Sequence, residues 1–182
     1  WSEDAKLAPR SYYGAGKLAI ESMLSAYHAQ TGNAVIVLRP SNIYGPGQES
    51  KRQFAVVPTL MQCLRDDREF VIWGDGESRR DYLYIQDFED VVLKIISRDW
   101  PAPLNETLNV AAGIGVPLNS ICTACEKISG QRLRRRYESR RTVDKGSVIL
   151  DATRVRSLLG WTAETPLETG LEATWKWFIS QR

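Results

Sequence analysis

Tyr13 and Lys17 are the two residues near the start of the chain whose types and spacing could carry proton transfer. On a helix, residues four apart lie on one face, so a phenol and an ammonium would reach the same small volume. Tyrosine ordinarily titrates near a pH of about 10, and a neighbouring cation favours the phenolate, which can exchange a proton with a substrate hydroxyl. Tyr12, its competitor, lacks a lysine at this spacing. The pattern predicts Tyr13 as the acid/base, with a solvated surface pair as the alternative.

Further motifs follow this pair in order along almost the whole chain. They read R-P-S-N-I-Y-G-P at 39–46, W-G-D-G at 73–76, R-D-Y-L-Y-I-Q-D at 80–87, N-V at 109–110, and Asp151 with L-L-G-W at 158–161. With Y-x-x-x-K at 13–17, the run resembles the extended short-chain dehydrogenase/reductase family, specifically its NAD-dependent nucleotide-sugar epimerases and dehydratases. The resemblance implies an α/β fold: an NAD-binding Rossmann domain and a smaller α/β lobe that binds a nucleotide-diphosphate sugar.

The resemblance also implies the reaction and the roles of the first two residues. Tyr13 would be the catalytic acid/base. Lys17 would bind the nicotinamide ribose hydroxyls and favour the tyrosinate, so both residues are expected cofactor contacts. The expected reaction is nucleotide-sugar 4-epimerisation. The alternatives are a nucleotide-sugar 4,6-dehydratase, a reductase or decarboxylase of the same family, and, outside enzymes, a nucleotide-binding or assembly module.

Four residues are expected substrate contacts. Asn42 follows a strand, where α/β sheets place ligand-binding groups; by resemblance it lies near the substrate phosphates, and an Asx turn is the alternative. Arg80 matches the arginine that approaches the diphosphate, with Arg79 as the alternative, and a guanidinium can bond two phosphate oxygens at once. By resemblance, Arg141 contacts the diphosphate and Asp144 a ribose hydroxyl.

A dense basic segment extends beyond that last pair. Its arginines are Arg132, Arg134, Arg135, Arg136, Arg140 and Arg141. Residues 132–136 are interpreted as a charged, solvated edge strand, because charges discourage edge pairing. A nucleic-acid surface is the weaker reading, since only Tyr137 supplies an interleaved aromatic ring. With a net charge of +2, no nucleic-acid partner is predicted.

One family feature is missing from the sequence. A G-x-G-x-x-G or G-x-x-G-x-x-G turn, whose backbone amides would hold the cofactor pyrophosphate, does not occur. The expectation is therefore a carboxyl-terminal portion of a longer enzyme, inactive alone, in which the Gly-rich half of the Rossmann domain is absent. Residues 1–45 and 82–100 would form the Rossmann remnant with the Y-x-x-x-K helix. Residues 46–81 and 101–182 would form the nucleotide-sugar-binding lobe.

Composition adds limits on compartment and assembly. Three cysteines cannot all pair, and Cys122 and Cys125 have no second pair to complete a zinc site, so no metal is predicted. Such cysteine usage suits the cytoplasm. No apolar run approaches membrane-spanning length, so no membrane partner is expected. The resemblance implies a homodimer packed through the apolar stripe Ala19, Ile20, Met23, Leu24 and Tyr27.

The elements that must position these residues alternate between helix and strand. Hydrophobic periodicity and end signals predict helices at 11–30, 54–64, 87–97, 118–129, 152–159 and 167–180. They predict strands at 35–38, 70–73, 82–85, 108–111 and 133–137, with residues 40–52 as a loop. Such alternation is typical of an α/β protein.

Overall fold

Helices and short strands alternate along the chain, which confirms the predicted α/β class. A computed structural model describes residues 1–49, 55–140 and 146–181. Its helices are α1 (Tyr12–Thr31), α2 (Val56–Arg65), α3 (Ile85–Ile96), α4 (Leu118–Ser129), α5 (Thr153–Leu159) and α6 (Leu167–Ser180). Its strands are β1 (Val35–Pro40), β2 (Asn42–Tyr44), β3 (Glu69–Trp73), β4 (Arg79–Tyr84), β5 (Asn105–Val110), β6 (Gly115–Pro117) and β7 (Arg134–Glu138).

The strands of the described residues form three small sheets. β1 pairs in parallel with β5, and β3 pairs in parallel with β7. β4 lies at the centre of the third sheet, parallel to β2 and antiparallel to β6. Because parallel neighbours need long crossover connections, helices separate the paired strands along the chain. The parallel pairing agrees with the predicted architecture.

Helix α1 begins and ends at residues that the sequence already marks as caps. The Ser11 side chain accepts a hydrogen bond from the Gly14 backbone N–H at 3.1 Å, which satisfies one of the free donors of the first turn. At the other end, Gly32 adopts the left-handed conformation with φ 69° and donates its N–H to the His28 carbonyl. A residue without Cβ enters this conformation easily. Both ends of α1 are thus set locally.

Two strands differ from the sequence-based prediction. Asn42 lies in β2 rather than in a loop, and residues 115–117 form β6, which the pattern did not indicate. Each strand has only three residues, and each pairs with β4, which is distant in sequence. A local hydrophobic pattern cannot report such a distant partner, because three residues are too few to show an alternation.

The core consists of two hydrophobic clusters on the two faces of β4. Tyr82 and Tyr84 point into a cluster formed mainly by α2, α4, α6 and β3. Leu83 points into the other cluster, formed by β1, β5, α3 and α5. Successive side chains of a strand point to opposite faces, so β4 joins both clusters. Its amino-terminal end, which carries Arg79 and Arg80, pairs with β6.

Among the helices that the structure describes, none has the length and apolar character needed to cross a bilayer. The same residues contain no group of three or more His, Cys, Asp or Glu side chains placed to hold a metal ion. Cys63, Cys122 and Cys125 are all buried and unpaired. Burial raises the pKa of both Cys122 and Cys125 to about 12, as expected for small core residues.

Candidate active site

Tyr13 and Lys17 meet on one face at the start of α1. The Lys17 Nζ atom lies 5.5 Å from the centroid of the Tyr13 ring, within the range of a cation–π contact. The Tyr13 side chain is 68% exposed, so its hydroxyl can meet a ligand. Tyr12 is fully exposed. The geometry therefore brings Tyr13 and Lys17 together. Tyr12, one residue earlier, points in a different direction around the helix axis.

Asn42 and Asp81 connect strands β2 and β4. The Asn42 side-chain amide donates to the Asp81 carbonyl at 2.8 Å. The buried Asp81 carboxylate accepts from the Ser41 hydroxyl at 3.0 Å and from the backbone N–H groups of Ala112 at 3.1 Å and Gly113 at 2.8 Å. Asp81 therefore fixes the backbone around Asn42.

Burial also changes the titration of Asp81. It raises the pKa of this carboxyl above its ordinary value, while the hydrogen bonds from Ser41, Gly113 and Ala112 act in the opposite direction. When the folded-state pKa exceeds the unfolded one, the stabilisation is complete below the unfolded pKa and is lost as the pH rises through the folded pKa. The hydrogen bonds from Ser41, Ala112 and Gly113 compensate part of the cost of ionising this buried carboxyl.

Arg80 lies in a cleft of about 340 Å³ that opens beside β3 and β4. Its guanidinium donates to the Arg79 carbonyl at 3.0 Å and to the Gly146 carbonyl at 2.6 Å, which holds the side chain along the cleft wall. The same cleft is lined by Thr59, Phe70, Trp73, Ser78, Tyr82 and Arg140. Aromatic rings and two guanidinium groups are the chemistry that a nucleobase joined to a diphosphate requires.

Trp73 and Arg140 are cleft residues that sequence reasoning did not assign to the site. Trp73 stands directly before the Gly74 turn, and Arg140 precedes the predicted R-x-x-D pair by one residue. An aromatic residue at the end of a strand, followed by a glycine turn, is the signal that could have indicated Trp73. Arg140 was counted with the basic cluster because the sequence cannot show which arginines are ion-paired.

Two arginines of β7, Arg135 and Arg136, are held by acidic neighbours. Arg135 forms an ion pair with Glu126 at 2.5 Å, and Arg136 pairs with Glu69 at 2.6 Å and also with Glu138. These contacts agree with the interpretation of the segment as a charged strand. Its partner is β3, so one of its two edges is paired.

Two of the predicted substrate contacts, Arg141 and Asp144, lie outside the described residues.

A larger groove, of about 710 Å³, lies between α4 and α6. It is lined by residues such as Asn119, Lys127 and Glu172 and contains none of the predicted site residues. The cleft around Arg80 is smaller, but its lining includes a residue that the sequence predicts as a substrate contact.

Comparison with known proteins gives a consistent result. The model of the family described as "NAD dependent epimerase/dehydratase family" matches residues 1–111. A UDP-glucose 4-epimerase of Mycolicibacterium smegmatis is 31% identical over 177 residues, which cover 97% of this chain and 56% of that protein. The chain thus spans little more than half the length of this relative.

Solved structures agree with this similarity. A UDP-glucose 4-epimerase of Thermotoga maritima with UDP-glucose aligns with a TM-score of 0.91 and 30% identity, over 99% of this chain and 57% of that one. MoeE5 in complex with UDP-glucuronic acid and NAD aligns with a TM-score of 0.90 and 29% identity, over 100% of this chain and 60% of that one. The likeness extends over both hydrophobic clusters of the fold.

Proposed function

Because the chain belongs to the NAD dependent epimerase/dehydratase family, we propose that it carries the catalytic pair and substrate cleft of a nucleotide-sugar 4-epimerase. The observation that carries the proposal is the meeting of Tyr13 and Lys17 on an exposed helix face. The similarity to two UDP-glucose 4-epimerases supports the choice of 4-epimerisation over the other reactions of the family.

Tyr13 and Lys17 are the residues proposed to hold the ribose of NAD, the cofactor of the family. An ammonium provides three donors, and a phenol both donates and accepts, so together they fit a pair of ribose hydroxyls. When bound, NAD supplies the acceptor and donor of hydride at the sugar carbon. The part of the cofactor-binding surface that would hold the pyrophosphate has no matching Gly-rich motif in the sequence.

Proton transfer is the step assigned to this chain. The Tyr13 Oη atom removes the proton of the sugar 4-hydroxyl as carbon 4 is oxidised. It returns a proton to the same oxygen once carbon 4 is reduced on the opposite face. The Lys17 ammonium stabilises the negative charge that develops on the phenol oxygen.

The nucleotide-diphosphate sugar is placed in the Arg80 cleft. Arg80 and Arg141 bind the diphosphate in this proposal, Asp144 a ribose hydroxyl, and Asn42 the region near the phosphates. The Asn42 amide is already oriented by the Asp81 carbonyl, so it loses little side-chain freedom on binding.

The proposal includes the assembly and the division of the chain. Residues 1–45 and 82–100 form the cofactor-binding part, and residues 46–81 and 101–182 form the lobe that binds the nucleotide sugar. Two copies pair through the exposed apolar stripe of α1. The three unpaired cysteines suit a reducing compartment, so cytoplasmic activity is part of the proposal.

Substitution of Tyr13 tests the proposed chemistry in the full-length protein. Tyr13→Phe keeps the ring and removes the ionisable oxygen. Turnover of UDP-glucose with NAD should therefore fall by at least about 100-fold, the usual contribution of a general acid/base. The affinity for the nucleotide sugar, measured by calorimetry, should stay within about twofold. Product analysis identifies the 4-epimer, whereas a 4-keto-6-deoxy sugar would identify a dehydratase.

Tyr12→Phe is the matched control, since Tyr12 is the adjacent tyrosine and has no lysine four residues later. Its turnover should equal that of the unchanged protein. Equal activities of the two variants would remove Tyr13 from the mechanism. An absence of any turnover in the unchanged full-length protein across UDP-, GDP- and dTDP-sugars would refute the proposed function itself.

A further inference from the structure

Helix α1 is held to the rest of the structure by few contacts. None of its twenty residues, all of which are described, is buried. Its half-buried residues, Gly14, Leu18, Glu21 and His28, recur at helical spacing, and Glu21 contacts β1. Among the residues that the structure describes, apolar packing therefore contributes little to the orientation of this helix, and polar contacts toward β1 contribute more.

Arg39 of β1 provides the most specific of these contacts. Its Nε atom donates to Glu21 Oε1 at 3.0 Å, and its Nη2 atom donates to Glu21 Oε2 at 2.6 Å. The two side chains are 21% and 23% exposed. Two parallel bonds between a planar guanidinium and a carboxylate fix their relative orientation, which a single bond or a lysine would not.

The remaining nitrogen of Arg39 extends the connection to a second strand. Its Nη1 atom donates to the Glu3 carbonyl at 3.0 Å. The Glu3 side chain, which is 5% exposed, accepts from the Asn109 backbone N–H of β5 at 2.8 Å. One guanidinium thus joins α1, β1 and, through Glu3, β5.

Glu21 lies on the same helix as Tyr13 and Lys17, four residues after Lys17. Tyr13 and Glu21 are about 12 Å apart along the axis and about 80° apart around it. A tilt of about 10° about the Glu21 end would move the Tyr13 backbone by about 2 Å. A misplacement of about 1 Å can cost about 100-fold in rate.

We propose that the Glu21–Arg39 ion pair positions α1 so that Tyr13 meets the substrate hydroxyl, and that both are positioning residues for the reaction. The inference rests on the proposed function. The pair itself is partly exposed, and such pairs contribute only about 0–1 kcal/mol to stability. Loss of the ion pair should therefore change the orientation of α1 more than it changes the stability of the fold.

The experiment compares Glu21→Gln with Glu172→Gln in the full-length protein. Glu172 is a matched control because it forms an exposed ion pair with Lys176 at 2.6 Å on α6 and lies outside the proposed site. The kcat of Glu21→Gln should fall about 10- to 100-fold, with the KM for the nucleotide sugar within about twofold, since the Arg80 cleft is unchanged. Both variants should unfold at similar temperatures.

Arg39→Lys adds a second variant that keeps the charge and removes the planar fork. Its kcat should fall like that of Glu21→Gln, whereas a purely charge-based effect would leave it near the unchanged value. A KM increase with unchanged kcat in Glu21→Gln would overturn the inference, because it would place the residue in substrate binding.

Amide hydrogen exchange gives a readout that does not depend on turnover. In Glu21→Gln, amides of residues 16–24 should exchange at least about fivefold faster than in Glu172→Gln, with exchange in α6 unchanged. If no nucleotide sugar is turned over but this difference is present, the proposed function fails and the positioning of α1 stands. If exchange in α1 is the same in both variants, the inference is wrong.

Discussion

Arginines in this protein differ by what their guanidinium groups contact. Arg135 and Arg136 are neutralised by glutamates, and Arg39 is neutralised by Glu21. The Arg80 guanidinium donates to the backbone carbonyls of Arg79 and Gly146, which orient it along the cleft wall. The residue type is the same, and the partners differ.

Arg80→Ala should weaken nucleotide-diphosphate sugar binding by about 1.5 to 3 kcal/mol, the usual contribution of a hydrogen bond to a charged group. The dissociation constant should rise about 10- to 150-fold, measured by calorimetry on the full-length protein. Thermal unfolding of the same samples shows whether the lost contacts to Arg79 and Gly146 also affect the fold.

Arg134→Ala is the control for this change. Arg134 lies on β7, and within the described part of the chain its side chain makes a long contact of 3.4 Å to the Asp67 carbonyl. Its substitution should alter affinity less than about twofold. Equal losses in the two variants would indicate a diffuse basic surface in place of a diphosphate site.

Two helices contain a glycine in their interior, for different reasons. In α6, Gly170 lies against the aromatic cluster: a Cβ there would stand 2.3 Å from the Tyr44 hydroxyl oxygen and 2.8 Å from Tyr84 Cδ2. In α1, a Cβ on Gly16 would meet no described atom within 4 Å. The glycine of α6 thus sets how closely that helix approaches the Tyr44–Tyr84 pair.

Gly170→Ala should destabilise the protein by about 1 to 3 kcal/mol, because an added methyl group overpacks a filled core. That cost exceeds the gain in helix propensity, which is about 0.5 to 1 kcal/mol. Gly16→Ala, the control with the same chemical change in an open position, should stabilise by that smaller amount. Urea unfolding with equal m-values measures both. A Gly170→Ala variant as stable as Gly16→Ala would contradict the close packing of α6.

At the scale of the whole molecule, apolar surface is distributed unevenly. Both hydrophobic clusters are covered by α2 to α6, whereas α1 carries exposed Ile20, Met23, Leu24 and Tyr27 at helical spacing on one face. A continuous apolar stripe of this kind is unusual on a soluble monomer and is typical of an association surface. The proposed homodimer would cover it.

The 182-residue chain should therefore form dimers or larger species, and Met23→Glu should shift them toward monomers. Met23 is 70% exposed in the α1 stripe, so the added charge would be placed inside the contact. Ile96→Glu is the matched control, because Ile96 is 71% exposed on α3. Sedimentation equilibrium at several concentrations distinguishes the variants. A chain that stays monomeric at the highest concentration, or an equal response of the two variants, would contradict pairing through α1.

Local signals in the sequence were sufficient for the helices and for the meeting of Tyr13 and Lys17. Ser11 and Gly32 cap α1, and the spacing of Tyr13 and Lys17 becomes a shared face as soon as the helix forms. The α/β class followed from alternating patterns that extend over many residues. These features depend on neighbours along the chain, so the sequence by itself determined them.

Only the tertiary structure decided the features that depend on distant partners. Strands β2 and β6 form because β4 lies beside them, and Asp81 joins segments that are up to 40 residues away. Arg135 and Arg136 of β7 form ion pairs with glutamates, and the Glu21–Arg39 pair links α1 to β1. Such pairings are selected by the packing of the whole fold, in which the partners of a charge or a short strand have no fixed separation in sequence.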